Sequence, residues 1–192
     1  MNLEYNDERH EYKINGEIVP SVTQVLKEAG LIDFSGIPPL VLENARERGL
    51  AVHETLELYD KDDLVMHTLD PVLKNYLHQW ELWLKESGFN VLTAEQMVGS
   101  EEHMYAGTMD RMGTISGDLT IMDIKTSKPT KSSKKNLGLQ LAGYVHASPK
   151  TKIVRRIGLF LTEDSFKEIE YDDKHDHIWW DCLEIAKWKK EK

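Results

Sequence analysis

Tyr12-Lys13-Ile14 and Ile18-Val19 alternate apolar with polar side chains on either side of Asn15-Gly16. That pattern predicts a short hairpin closed by a tight turn. After Pro20, Ser21 can cap a helix while Gln24 reaches back to complete a capping box. Gly30 ends that helix, and Gly36 with Pro38-Pro39 forms the loop beyond it. Leu40 to about Tyr59 reads as helix. Asp70-Pro71 opens another by the cap-then-proline rule, and Leu73, Leu77, Trp80 and Leu84 give it an apolar stripe as far as Gly88. Residues 90–99, 104–115 and 118–126 read as strands, and Asn136 to about Ala147 as helix. Lys152 to Leu161 and Phe166 to Tyr171 read as a strand pair, and His177 to Lys190 as a closing amphipathic helix. This order predicts an α/β fold with a central mixed β-sheet flanked by helices. With no internal repeat, low-complexity tract or linker, residues 1–192 read as one domain. It comprises an N-terminal hairpin (1–20), a helical part (21–90) and a sheet core (90–192).

Composition narrows the options. One cysteine, Cys182, excludes an intramolecular disulfide and any all-cysteine zinc or iron–sulfur site within this chain. There is no apolar run of membrane-spanning length and no signal-peptide pattern at the N-terminus, so a cytoplasmic setting without membrane contact is expected. The formal net charge of −9 argues at first against a polyanionic partner. Local charge differs, however. Lys125, Lys128, Lys131, Lys134 and Lys135 cluster in a stretch read as a loop, and Lys150, Lys152, Arg155 and Arg156 follow, while acids crowd into 4–17 and 163–181. A solvated loop alone would explain such a lysine run.

The most informative stretch is 107–126. A two-residue Ser116-Gly117 loop pairs Ile115 with Asp118 and, five steps back along each strand, Asp110 with Asp123. Directly opposed Cβ atoms lie roughly 5 Å apart. Alternation puts Lys125 on the face of Asp123 and Ile124 on the other. Like charges so placed destabilise a sheet unless something neutralises them, and a divalent cation with oxygen ligands does so. The competing reading is an exposed hairpin with scattered charges, which the apolar Leu119, Ile121, Met122 and Ile124 disfavour.

Two helical patterns accompany the hairpin. Ala45, Gly49, Val52, His53 and Leu56 share one face, with small residues that let the helix lie close to a sheet. Glycine within a helix costs roughly 1 kcal/mol against alanine, which close approach would offset. Gln140 and Tyr144, at i and i+4, share another face and could meet a phosphate or a base. In isolation each also reads as core or surface filling.

Taken in order, these segments resemble the RecB-like, phage-type exonuclease branch of the PD-(D/E)XK nuclease superfamily. Arg48-Gly49-xxx-His53 is similar to its Gly-xxx-His helix, and Gly107-Thr-Met-Asp110-Arg111 to its G-x-x-D strand. Asp123-Ile124-Lys125-Thr126 is similar to its D-x-K strand, Gln140-xxx-Tyr144 to its Q-x-x-x-Y helix, and Pro20-Ser-Val-Thr23 to the start of phage and mitochondrial exonucleases of this kind. The resemblance implies metal ligands His53, Asp110, Asp123 and the Ile124 carbonyl, with Lys125 beside the attacking water. It also implies a further acid, for which Glu95 is the first choice and Glu101 and Glu102 are rivals.

The implied activity is Mg²⁺- or Mn²⁺-dependent hydrolysis of DNA phosphodiesters by one or two ions, without an iron–sulfur cluster. The resemblance implies a phage-encoded exonuclease on DNA ends or single strands, acting in replication, recombination or repair. A helicase, single-strand-binding or recombination protein would be a partner. Lys128, Lys131, Lys134 and Lys135, with Gln140 and Tyr144, would hold DNA. A catalytically weak binding module, a structure-specific endonuclease and a hydrolase of smaller substrates are the alternatives. Tyr105 and Met104 are candidate base contacts, and the five tryptophans read as core.

Overall fold

The computed structural model describes residues 1–148 and 152–190, so Lys150 lies outside the described residues. Three short strands come first, β1 (Leu3–Asn6), β2 (Glu11–Ile14) and β3 (Glu17–Val19), forming an antiparallel sheet in that order. The expected hairpin is β2–β3, turned by Asn15 and Gly16 at φ 51° and 88°. β1 was not legible in the sequence. Helix α1 (Val22–Glu28) opens with the Ser21–Gln24 capping box. α2 (Pro39–Asp60) and α3 (Pro71–Ser87) follow, the second capped by Asp70 and ended by Gly88 in the left-handed region.

The main sheet then forms in the order β4 (Asn90–Ser100), β5 (Tyr105–Ile115), β6 (Asp118–Lys125), β7 (Arg155–Leu161) and β8 (Phe166–Glu170). Only β6 and β7 run parallel, because α4 (Lys131–Ala147) crosses over between them. α5 (Asp176–Lys190) closes the chain. The result is a single α/β domain around a mixed five-stranded sheet, as the apolar pattern predicts. No helix among the described residues is long and apolar enough to cross a membrane.

The sheet divides two cores. Ile121 and Phe160 on one face pack with Val25 of α1, Leu141 of α4 and Trp179 and Leu183 of α5. On the other face Met122, Ile124 and Leu159 pack with Val52 and Leu56 of α2 and Trp80 and Trp83 of α3. Alternation along β6 therefore feeds both layers, a consequence of the strand's central place.

Three expectations change. The lysine run is not a loop throughout: Thr130 and Ser133 form a capping box, so Lys131, Lys134 and Lys135 ride on the first turns of α4. Tyr105 is wholly buried, donates to the Gly143 carbonyl at 2.9 Å and meets Trp179 edge-on, so it has no face for a base. Trp80, Trp83 and Trp179 are core as expected, but Trp188 is 56% exposed on α5.

Candidate active site

Ser116 and Gly117 take positive φ, 53° and 91°, and close the β5–β6 hairpin with the expected register. Pairing runs from Ile115–Asp118 to Arg111–Met122 and stops there. Asp110 and Asp123 are the next residues along, so they are not a bonded pair within the ladder. They stand at the mouth of a gap where β5 stays with β4 and β6 continues along β7 as far as Lys125–Phe160. Asp110 spans the opening: its Oδ2 accepts from the Ile124 amide at 2.5 Å. Both aspartates are buried, at 8% and 1% exposure.

His53 arrives from α2 on the same opening. Its Nδ1 lies 3.6 Å from Asp110 Oδ1 and 3.7 Å from Glu95 Oε1, while Nε2 lies 3.2 Å from the Ile124 carbonyl. If Nε2 carries the proton donated to that carbonyl, Nδ1 is left facing the acids. Burial alone would lower the imidazole's pKa, but Asp110, Glu95 and Asp123 outweigh it and push it up to about 9. Close approach explains less of Gly49 than expected, since a Cβ there would meet only Thr126 Oγ1 at 3.5 Å.

Glu95 comes from the middle of β4, between Ala94 and Gln96, whose partners are Arg111 and Met109. It therefore faces Asp110 across the ladder, at a φ of 48° that costs a non-glycine residue about 1 kcal/mol or more. Its rivals lie elsewhere, in the β4–β5 turn. Glu101 is occupied by Asn15 and the N-terminal ammonium, and the Glu102 side chain is 85% exposed beside His103.

Lys125 Nζ lies 2.6 Å from Asp123 Oδ2, yet that oxygen has no hydrogen bond of acceptable geometry and is buried. Asp123 is pulled two ways. Burial and the nearby Asp110 push its carboxyl up, while Lys125 and His53 draw it down. Burial likewise opposes the Lys125 ammonium, but Asp123 and Asp110 more than restore it. We read the two as a charged pair because of the short contact.

Gln140 fastens this pair to α4. Its Nε2 reaches Asp123 Oδ1 at 2.6 Å and the Tyr144 hydroxyl at 2.7 Å, and its Oε1 accepts from Lys125 at 3.0 Å. Gln140 and Tyr144 thus sit buried among the acids rather than on an open face. Burial, with Asp123 and Asp110 close by, holds the Tyr144 phenol well above its usual pKa and so neutral. Lys134 and Lys135 line a separate cavity of about 450 Å³ against Tyr171 and α5, and Lys128 and Lys131 are exposed.

Sequence reasoning missed the layer beneath. Arg111 is fully buried; its Nε binds Asp60 Oδ2 at 2.5 Å, and Nη1 reaches the Asp110 carbonyl at 2.6 Å and Glu95 Oε1 at 3.3 Å. Trp80 Nε1 donates to the other Asp60 oxygen at 2.9 Å. One guanidinium thereby fixes two strands that carry acids. Nothing local distinguishes Asp60 from other acids at a helix end, so its role was not readable; Arg111, on an inward-facing strand, was the available signal.

The donor set suits a hard divalent cation. An imidazole nitrogen and two carboxylates, from His53, Glu95 and Asp110, offer ligand atoms within 4.8 Å of one another, and Asp123 adds a buried oxygen lacking a hydrogen bond.

No family profile and no curated protein sequence matches the chain. Solved structures do. A protein of Eubacterium rectale provisionally designated an exonuclease is 13% identical with a TM-score of 0.54, over 89% of this chain and 79% of that one. The protein SSO0001 is 14% identical with a TM-score of 0.50, over 91% and 76%. The alkaline exonuclease LHK-Exo of Laribacter hongkongensis, at 11% identity over 89% and 87%, has a TM-score of 0.46. At this identity the likeness to the first two establishes the fold alone, an α/β domain with a mixed central sheet flanked by helices.

Proposed function

We propose that this chain is a divalent-metal-dependent deoxyribonuclease that hydrolyses phosphodiester bonds as an exonuclease on DNA ends or single strands. One observation carries the reading. An imidazole from α2, carboxylates from β4, β5 and β6, and an ammonium from β6 converge where two sheet strands part. Such a concentration of buried charge is costly unless it serves a ligand.

His53, Glu95, Asp110 and Asp123 would hold Mg²⁺ or Mn²⁺, with the Ile124 carbonyl beside them. A bound cation there supplies Lewis-acid polarisation of a phosphate and a more acidic water. The chain's own residues do the rest. Lys125 presents a cation where negative charge grows as the phosphorus gains a fifth oxygen, and its position is fixed by Gln140 and Asp123. Asp110, tied to the Ile124 amide, holds the two strand ends at a set separation. His53 braces the Ile124 carbonyl from the other side. Exposed Lys128 and Lys131 beyond the end of β6 can receive the DNA backbone, which makes binding fall steeply with salt. Replication, recombination or repair, with helicase or single-strand-binding partners, is the setting in which such an activity serves.

The test is digestion of linear and circular DNA with Mn²⁺ by the wild type and Lys125→Ala. Loss of products from linear DNA in the variant, with circular DNA spared by both, supports the proposal. Equal activity in the variant would point to another site. Binding without turnover by the wild type would favour a DNA-holding module instead.

A further inference from the structure

A second opening adjoins the acid cluster and takes no part in the chemistry above. A cavity of about 410 Å³ lies between the N-terminal sheet, the start of α1 and α2. Tyr5, His10 and Tyr12 form its wall on the sheet side, Arg46 comes from α2, and Thr108 and Tyr144 border the site. Two hydrogen bonds join it to the acids. The Tyr12 hydroxyl meets Thr108 Oγ1 at 2.7 Å, two residues before Asp110, and the Tyr144 hydroxyl accepts from Gln140, which holds Asp123.

We propose that this cavity is a nucleotide subsite, in which the base of one unpaired DNA residue next to the scissile bond lies against the Tyr5–Tyr12 pair. The inference rests on the nuclease reading and adds to it the state of the substrate strand.

Three features point to a base. The rings of Tyr5 and Tyr12 lie 4.6 Å apart with 34° between their planes, and the Tyr5 hydroxyl is tied to His10 Nδ1 at 2.9 Å. An aromatic surface is thus held in orientation before anything binds, which lowers the entropic cost of stacking. Tyr5 remains 38% exposed on the outer strand of a three-stranded sheet. Tyr12, across from it in register, is 8% exposed and packs with Ile14, Val19 and Ala106, so the open face is the Tyr5 ring. That is an apolar surface left uncovered, in a cavity whose volume falls within the range of small-ligand pockets. Arg46 brings a cation to the same cavity and is held only loosely, 3.9 Å from Glu43, so it can turn to a phosphate. Aromatic face, cation and adjoining hydrolytic site match one nucleotide of a strand threaded past the acids. A base stacked in a duplex cannot offer its face to tyrosine, so the residue here is unpaired.

The experiment uses single-stranded oligonucleotides carrying one abasic position, moved stepwise along the strand. Hydrolysis with Mn²⁺ is followed for the wild type, Tyr5→Ala and Tyr5→Phe. Wild type should slow about tenfold when the abasic position falls in the cavity. Tyr5→Ala should slow about as much on the intact strand and lose sensitivity at that position, while Tyr5→Phe, which keeps the ring, should retain it. Tyr5 is exposed at an edge, and circular dichroism checks that each variant folds. Tyr5→Ala with wild-type rates, or with an unchanged positional profile, overturns the subsite and leaves the nuclease reading standing. A wild type that degrades linear duplex DNA but none of these strands also overturns the subsite alone; one that degrades neither sinks both.

Discussion

Asp60→Asn is the most revealing perturbation of the layer beneath the acids. The carboxylate is 3% exposed and the Arg111 side chain wholly buried, so no water can replace the lost charge. Burial pushes the Asp60 carboxyl up more strongly than Arg111 and Trp80 draw it down, so the pair is not a large source of stability as it stands. Removing one partner is a different matter. Arg111 Nη2 already lacks a hydrogen bond, and the guanidinium would be left with Glu95 as its remaining carboxylate. Breaking a buried pair in this way costs about 3–5 kcal/mol, whereas replacing both members by apolar residues is often near neutral. At this chain length about 1 kcal/mol corresponds to roughly 2–4 °C, so Asp60→Asn should lower the melting temperature by about 6–20 °C. Asp60→Leu combined with Arg111→Met should lower it by less than Asp60→Asn. The assay is thermal unfolding followed by circular dichroism, with calorimetric Mn²⁺ titration of the folded variants. Mn²⁺ binding should weaken in Asp60→Asn as Glu95 is drawn toward Arg111. A loss of stability below about 1 kcal/mol for Asp60→Asn would refute the reasoning.

Gly107→Ala places a Cβ 2.8 Å from the Tyr144 ring and 3.1 Å from Val22, so Tyr144 must shift and disturb Gln140. Activity should drop at least about tenfold and stability by about 1–3 kcal/mol; wild-type turnover would show that Tyr144 and Gln140 do not position the site. His53 gives a pH dependence. Its pKa in the folded chain is raised to about 9, so in the metal-free protein its stabilising effect is full below about 6.5 and is lost as pH rises through 9. A metal ligand must be the neutral ring, so Mn²⁺ binding near pH 7 should release about one proton and tighten toward pH 9. Calorimetry in two buffers of different ionisation heat measures this, and no proton release would remove His53 from the ligand set.

The sequence carried much of this and hid the rest for physical reasons. The Ser116-Gly117 turn and strand alternation located Asp110, Asp123 and Lys125 correctly because a two-residue loop fixes register. The same arithmetic overstated the pairing, since it cannot show where two strands part. α4 began earlier than the apolar spacing suggested, because the signal lay in the Thr130–Ser133 cap rather than in hydrophobic residues. β1 has one half-buried position, Leu3, and three exposed ones, so no periodicity marked it. The Asp60–Arg111–Trp80 network joins residues far apart in sequence, and pattern reading along one chain has no purchase on such a contact.

The central claim is that the acids at the strand opening share a cation. Anomalous diffraction from Mn²⁺-soaked crystals tests it most directly. The account predicts a peak between His53, Asp110, Glu95 and Asp123, within about 2.0–2.6 Å of their ligand atoms. A peak elsewhere with this cluster unligated, or no peak under conditions where the protein cuts DNA, would contradict it.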